Sequence, residues 1–325
     1  MGAKTMEAER GIRYFPLALF TSVMGVSGLG LSLGLLEGYH DVRPVASYVV
    51  LVLASLLLLI NVGILLYRLI SFRDEVKQEF NHPVKMNFFA AISISFLLVA
   101  ALYLDVQMTV SYILWLIGTV LQLVLTLSLL TSSMWKEGLQ FAHFNPLWFL
   151  PIVGNIVVPL AGVVHASPLL NWMFFGIGIV FSIVYFTLFI SRIFFHGPIP
   201  PPLRPTLFIL LAPPGIATVS YIQMTGEADY FTYILYGFAI YIALLLLVQL
   251  RPYILAHPFT VSWWAFLFPS AIVTNATFLL FEHTGQEFLL YLFYIFLAAI
   301  TLLTLYLLTM TLKALFQGKL CRKEG

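Results

Sequence analysis

Ten stretches of about 20 residues pass through this chain with no acidic or basic side chain near their middles. They run over 15–37, 46–70, 86–104, 108–132, 145–164, 169–193, 205–224, 229–250, 258–280 and 287–315. A helix rises about 1.5 Å per residue, so each stretch is long enough to cross a hydrocarbon layer of about 30 Å. Inside that layer a backbone must satisfy its own hydrogen bonds, and a helix does so within one segment. Composition agrees, with 61% of residues hydrophobic and 9% charged, against about 25% charged in soluble domains. These features predict an all-α polytopic membrane protein with ten transmembrane helices. The expected organisation is a tail over 1–14, a single ten-helix domain over 15–316 and a second tail over 317–325.

The basic residues test this count independently. With the N-terminus in the cytoplasm, fifteen of the sixteen Lys and Arg fall in the two tails and the even-numbered connections. Only Arg43 falls on the other side. Lys and Arg concentrate on the cytoplasmic side of membrane proteins, and an odd number of spans would scramble the pattern. Both termini are therefore expected in the cytoplasm, with the protein in the cell (inner or plasma) membrane. The outer loops are left acidic, through Glu37, Asp41, Asp105, Glu227, Asp229, Glu282 and Glu287. No basic vestibule collects anions there.

A repeat is written in the odd-numbered spans. The fifth carries FLPIVGN (149–155), the seventh LLAPPGIA (210–217) and the ninth FLFPSAI (266–272). In each, a Pro is followed by small residues. Pro151 and Pro213 are 62 residues apart, and Pro213 and Pro269 are 56 apart, close to the length of one helical hairpin. In the third span Ser93 stands 58 residues before Pro151, and the first span has Met24–Gly25 in a Gly- and Ser-rich run. The fourth, eighth and tenth spans are bulky and free of Pro. One Pro in a membrane helix more often reflects packing than function, but three in register at the hairpin period point to a repeated architecture. The pattern predicts five tandem helical hairpins, with the odd helices inside and the even ones facing lipid or neighbouring subunits.

Within the membrane no carboxylate or ammonium is available to carry a coupling proton or sodium ion, which favours passive conduction. The seven His sit at span ends or in loops, and none forms an HxxxH pair. The single Cys, Cys321, lies in the tail. No metal site, haem or other cofactor is implied. No phosphate loop, nucleophile elbow or paired carboxylates argue for an enzyme. The net charge of +2 gives no reason to expect a nucleic-acid partner. The basic second connection, Arg68 to Lys85, reads as a solvated loop diluted by Asp74, Glu75 and Glu79. Candidate pore-lining residues are Met24, Gly25, Ser93, Ser95, Asn155, Pro214 and Asn275. Asn155 and Asn275 suit packing between helices equally well.

At SWWAFLFP (262–269) the chain resembles the ninth-helix motif of the tellurite-resistance/dicarboxylate transporter family. That family includes bacterial TehA-like proteins, malate and sulfite transporters, and the slow anion channels of plant guard cells. FRDEVKQEFNHPVKMNFFA (72–90), FLPIVGN and LAPPGIATVSYIQMTGEADYFTYILYGFA (211–239) match in order, so the resemblance covers essentially the whole chain. It implies a quasi-fivefold inner ring of odd helices forming one central pore per subunit, and a homotrimer. It also implies an aromatic gate on the ninth helix, here Phe268, with helix kinks at the pore at Pro151, Pro213 and Pro269. The chain departs from the family at Ser93 and at Met24–Gly25, where relatives often have Pro-containing helices. The expected function is a passive channel for small monovalent anions such as chloride or nitrate. The alternative is a secondary carrier or efflux protein for a C4-dicarboxylate (malate), tellurite or sulfite, against which stands the lack of any Arg at membrane depth.

Overall fold

The computed structural model describes residues 11–138, 140–256 and 258–321. Ten helices in it are long and apolar enough to cross a membrane. They are Leu17–Tyr39, Val45–Ser71, Lys85–Leu102, Met108–Trp135, Pro146–His165, Pro168–Phe195, Pro201–Thr225, Tyr230–Pro252, Val261–Thr284 and Glu287–Phe316, called here the first to tenth spans. They match the ten apolar runs in order, and no strand occurs among the described residues. The chain is an all-helical, multi-pass membrane protein. Lys4, Arg10, Arg322 and Lys323, which entered the charge sorting, and His257 lie outside the described residues.

Each odd span packs along the even span that follows it, giving five successive hairpins. The two sets differ sharply in burial. Between 72% and 89% of each odd span's apolar stretch is buried, against 22% to 33% for the even spans. The inner spans also touch one another in sequence: first with third, third with fifth, fifth with seventh, seventh with ninth, and ninth with first. Small residues permit the close approach, as they do generally between membrane helices. A Cβ on Gly25 would lie 2.7 Å from the Leu267 side chain, and one on Gly28 would lie 2.8 Å from the Ala271 Cβ. The first and ninth spans meet at these glycines.

All five inner spans begin as 3₁₀-helix and continue as α-helix. The 3₁₀ parts are Leu17–Leu19, Lys85–Phe89, Pro146–Phe149, Pro201–Leu211 and Val261–Phe266. The α parts start at Phe20, Ala90, Leu150, Ala212 and Leu267. Pro151, Pro213 and Pro269 therefore stand in the first turn of an α segment. Each Pro takes the backbone φ that an α segment's first turn requires, and the carbonyl that it leaves without an N–H belongs to the chain just before it. The prolines mark a change of helix type, and the first and third spans make the same change without Pro.

The fifth span has a second discontinuity that the repeat does not announce. Its α-helix stops at Val157 and a new one runs from Pro159 to His165. Pro159 brings no N–H for the carbonyl four residues earlier. Neighbouring spans reach in around the break: Ser220 Oγ donates to the Ile156 carbonyl at 2.7 Å, and Trp115 Nε1 to that of Val158 at 3.0 Å.

The connection after the second span corrects one expectation. Arg68 is not solvated; it is fully buried. Its Nε and Nη1 donate to the carbonyls of Arg13 and Phe15 at 3.0 and 2.8 Å, and its Nη2 is 3.0 Å from Glu79 Oε2. Glu79 belongs to the short helix Arg73–Asn81. A cation at a helix end thus ties the entry of the first span to the second connection.

Candidate functional site

Four of the inner spans, the first, fifth, seventh and ninth, line a small cavity at Phe268. Phe268 is the second residue of the ninth span's α segment and is only 2% exposed. It faces a cavity of about 10 Å³ lined by Thr21 and Met24 of the first span, Leu150 of the fifth, Ile209 and Ala212 of the seventh, and Trp264, Ala265 and Pro269 of the ninth. A single water needs about 10–15 Å³, so the space is closed to any hydrated ion. Most of these residues lie within three positions of a 3₁₀-to-α junction. The walls are apolar apart from Thr21, whose hydroxyl is donated to the Ala18 carbonyl at 2.5 Å.

The expected site residues divide into those at this constriction and those elsewhere. Met24, Phe268 and Pro269 line it, while Pro151 and Pro213 each follow a lining residue in sequence. Gly25 packs against Leu267, and Pro214 is buried with its carbonyl accepting from Thr218 at 2.9 Å. Ser95 Oγ lies 2.6 Å from the Ala91 carbonyl of its own helix and 3.1 Å from the Phe20 carbonyl of the first span. Asn275 Oδ1 accepts from Ser32 Oγ, again bridging the ninth and first spans.

Ser93 and Asn155 turn towards the peripheral fourth span. Ser93 Oγ donates to Gln122 Oε1 at 2.7 Å. Gln122 Nε2, Thr126 Oγ1 and Asn155 Nδ2 all donate to the Pro151 carbonyl, at 2.7, 2.9 and 2.9 Å. This network of third, fourth and fifth spans is fully enclosed. Gln122 and Thr126 were not singled out in the sequence; a Gln amid VLQLVL and a Thr one turn later are the signal that marks them. Gly154 makes room for the network, since a Cβ there would lie 2.1 Å from Gln122 Oε1. Gly154→Ala is expected to displace Gln122 and cost about 1–3 kcal/mol, as overpacking does. The check is a lower apparent Tm of the purified protein than for Gly63→Ala, at a glycine with nothing within 4 Å of its Cβ position.

Among the described residues no group of three His, Cys, Asp or Glu is placed to hold a metal ion. What the cavity offers is an apolar wall close to the starts of α segments.

The comparisons with known proteins bear on what passes through. A model of the SLAC1 family, described as voltage-dependent anion channel, matches residues 14–312. The chain is 24% identical over 299 residues to an uncharacterized transporter of Methanocaldococcus jannaschii, covering 85% of this chain and 87% of that one. It is 27% identical over 270 residues to the tellurite resistance protein TehA homolog of Haemophilus influenzae, covering 80% of each. It is 28% identical over 277 residues to the S-type anion channel SLAH2 of Arabidopsis thaliana, covering 81% of this chain and 52% of that one.

Proposed function

The chain belongs to the SLAC1 family of voltage-dependent anion channels, and from that membership we propose that it is a passive channel for small monovalent anions such as chloride and nitrate, closed by Phe268. The observation that carries this reading is the circuit of contacts among the buried inner spans, with the buried Phe268 ring lining a cavity of about 10 Å³. We take the circuit as a quasi-fivefold pore whose axis passes through the constriction. An apolar plug stops ions by excluding water and needs no charge of its own. The same reading has both termini in the cytoplasm of the cell membrane, lipid around the even spans, and a homotrimer with one pore per subunit.

Selectivity then comes from weak sources. In the proposed pore the α segments of the inner spans start within the spans, and a helix N-terminus carries partial positive charge. That field attracts an anion without replacing its hydration shell, so the cost of dehydration decides which anion passes. With the plug removed by Phe268→Ala, bi-ionic reversal potentials in planar bilayers should rank iodide and nitrate above chloride. A preference of about threefold corresponds to less than 1 kcal/mol. Fluoride or sulfate ahead of chloride would reject this mechanism.

The similarity to a tellurite resistance protein favours one other reading, a carrier of oxyanions or C4-dicarboxylates. Slow, saturable uptake of labelled malate or tellurite, without unitary currents, would establish it. Unitary currents exceeding carrier turnover would dismiss it.

A further inference from the structure

The two adjacent tryptophans of the ninth span have different surroundings. Trp263 sits in an aromatic cluster, with ring centroids 5.7 Å from Phe266, 6.1 Å from Tyr306 and 6.3 Å from Phe259. Trp264 lines the constriction beside Phe268 and is 1% exposed. Its indole N–H points away from that space and donates to Thr311 Oγ1 of the tenth span at 2.9 Å. A buried indole N–H is normally paired, because leaving it unpaired costs the desolvation of the donor. Here the partner is on a peripheral helix, outside the inner circuit.

Helix geometry makes the pairing consequential. Trp264 and Phe268 stand four residues apart and both line the same cavity. Trp264 lies in the 3₁₀ part and Phe268 in the α part, so the junction between the two helix types separates them. Trp264 is bonded to a second helix through its side chain; Phe268, being phenylalanine, has no polar handle by which any neighbour can hold it. One ring is anchored and the other is held by packing alone.

We propose that Trp264 is a fixed sill against which Phe268 closes, and that Thr311 of the tenth span is its positioning residue. The proposal rests on the reading of Phe268 as the gate. It assigns a peripheral helix a direct part in how tightly the pore shuts: releasing the indole lets Trp264 turn away, and the closed state leaks. Loss of one ordinary hydrogen bond is worth about a fivefold to tenfold change in population.

The test uses the purified full-length protein in liposomes, with iodide influx as the readout. Thr311→Val, which keeps the shape and removes the acceptor, should raise basal influx about fivefold. Thr311→Ser, which restores a hydroxyl, should return it to the wild-type level. Trp264→Phe should also leak, and adding Thr311→Val to it should change nothing further, because the bond is already gone. Wild-type influx in Thr311→Val, or a further rise in the double variant, would overturn the proposal. Phe268→Ala is measured alongside. A silent Phe268→Ala beside a leaking Thr311→Val would reject Phe268 as the gate while keeping the role of Thr311.

Discussion

Phe268→Ala is expected to turn a silent protein into a conducting one. The wild-type ring is buried and, with Thr21, Met24, Leu150, Ile209, Ala212, Trp264 and Ala265, lines a cavity of only about 10 Å³. In the proposed pore, removing it takes away the side chain whose bulk closes that level. The variant must then admit water, and two effects compete. A cavity lined only by aliphatic groups can remain dry. This one is not sealed, because in the proposed pore it joins passages above and below, and helix starts converge at its depth. Wetting therefore wins, and anion current in bilayers or oocytes should rise at least tenfold. That requires only about 1.4 kcal/mol off the conduction barrier. Stability should fall at the same time, by about 3 kcal/mol, as for other Phe→Ala changes in packed interiors. Phe266→Ala is the control. Phe266 packs against Phe208, with centroids 4.2 Å apart and the rings tilted by 44°, and does not line the cavity, so its variant should stay silent. Wild-type current from well-expressed Phe268→Ala would sink the gating role.

The architecture was legible because burial in a membrane chain follows composition over whole helices. Runs such as Ile113–Leu130 and Tyr233–Leu250 announce a lipid-facing helix by their bulk, and Gly, Ser and Pro announce a crowded one. What could not be read was anything that depends on rotation about a helix axis. One residue along a helix turns the side chain by about 100°. Ser93 and Asn155 were equally able to face a central passage or the fourth span, and their side chains bond towards the fourth. The prolines carried real information, but about a junction: Pro269 sits in the first turn of the α segment, just after the 3₁₀ part ends. The 3₁₀ starts of the first and third spans leave no such mark. Pro159 was hidden because its span already held a Pro in register with the repeat. Arg68 was misread for a different reason: charge sorting locates a cation near a membrane face but does not distinguish a solvated one from one enclosed by its own chain.

Arg68→Ala is expected to be the most destabilising single change on that face. The guanidinium is fully buried and meets three acceptors at once, two carbonyls and a carboxylate. Deleting it leaves the Arg13 and Phe15 carbonyls without these donors and the Glu79 carboxylate without its counter-charge. Breaking a buried pair from one side typically costs about 3–5 kcal/mol. The Glu79 side chain is 20% exposed, so water recovers part of that and the lower end applies. About 3 kcal/mol corresponds to an apparent Tm lower by about 6–12 °C for a chain of this size. Arg68→Lys should recover little, because one ammonium cannot reproduce a planar fork that reaches three separate oxygens. Glu79→Gln should be milder, since it keeps the shape and leaves both carbonyl bonds in place. The order Arg68→Ala, Arg68→Lys, Glu79→Gln, from largest loss to smallest, is what a clamp on the chain entering the first span requires. Six residues after Phe15 that chain reaches Thr21 at the constriction, so loosening the clamp should also raise the basal iodide leak. An Arg68→Ala protein within 2 °C of wild type would show that the entry segment is held by packing alone and that the buried charge contributes nothing to it.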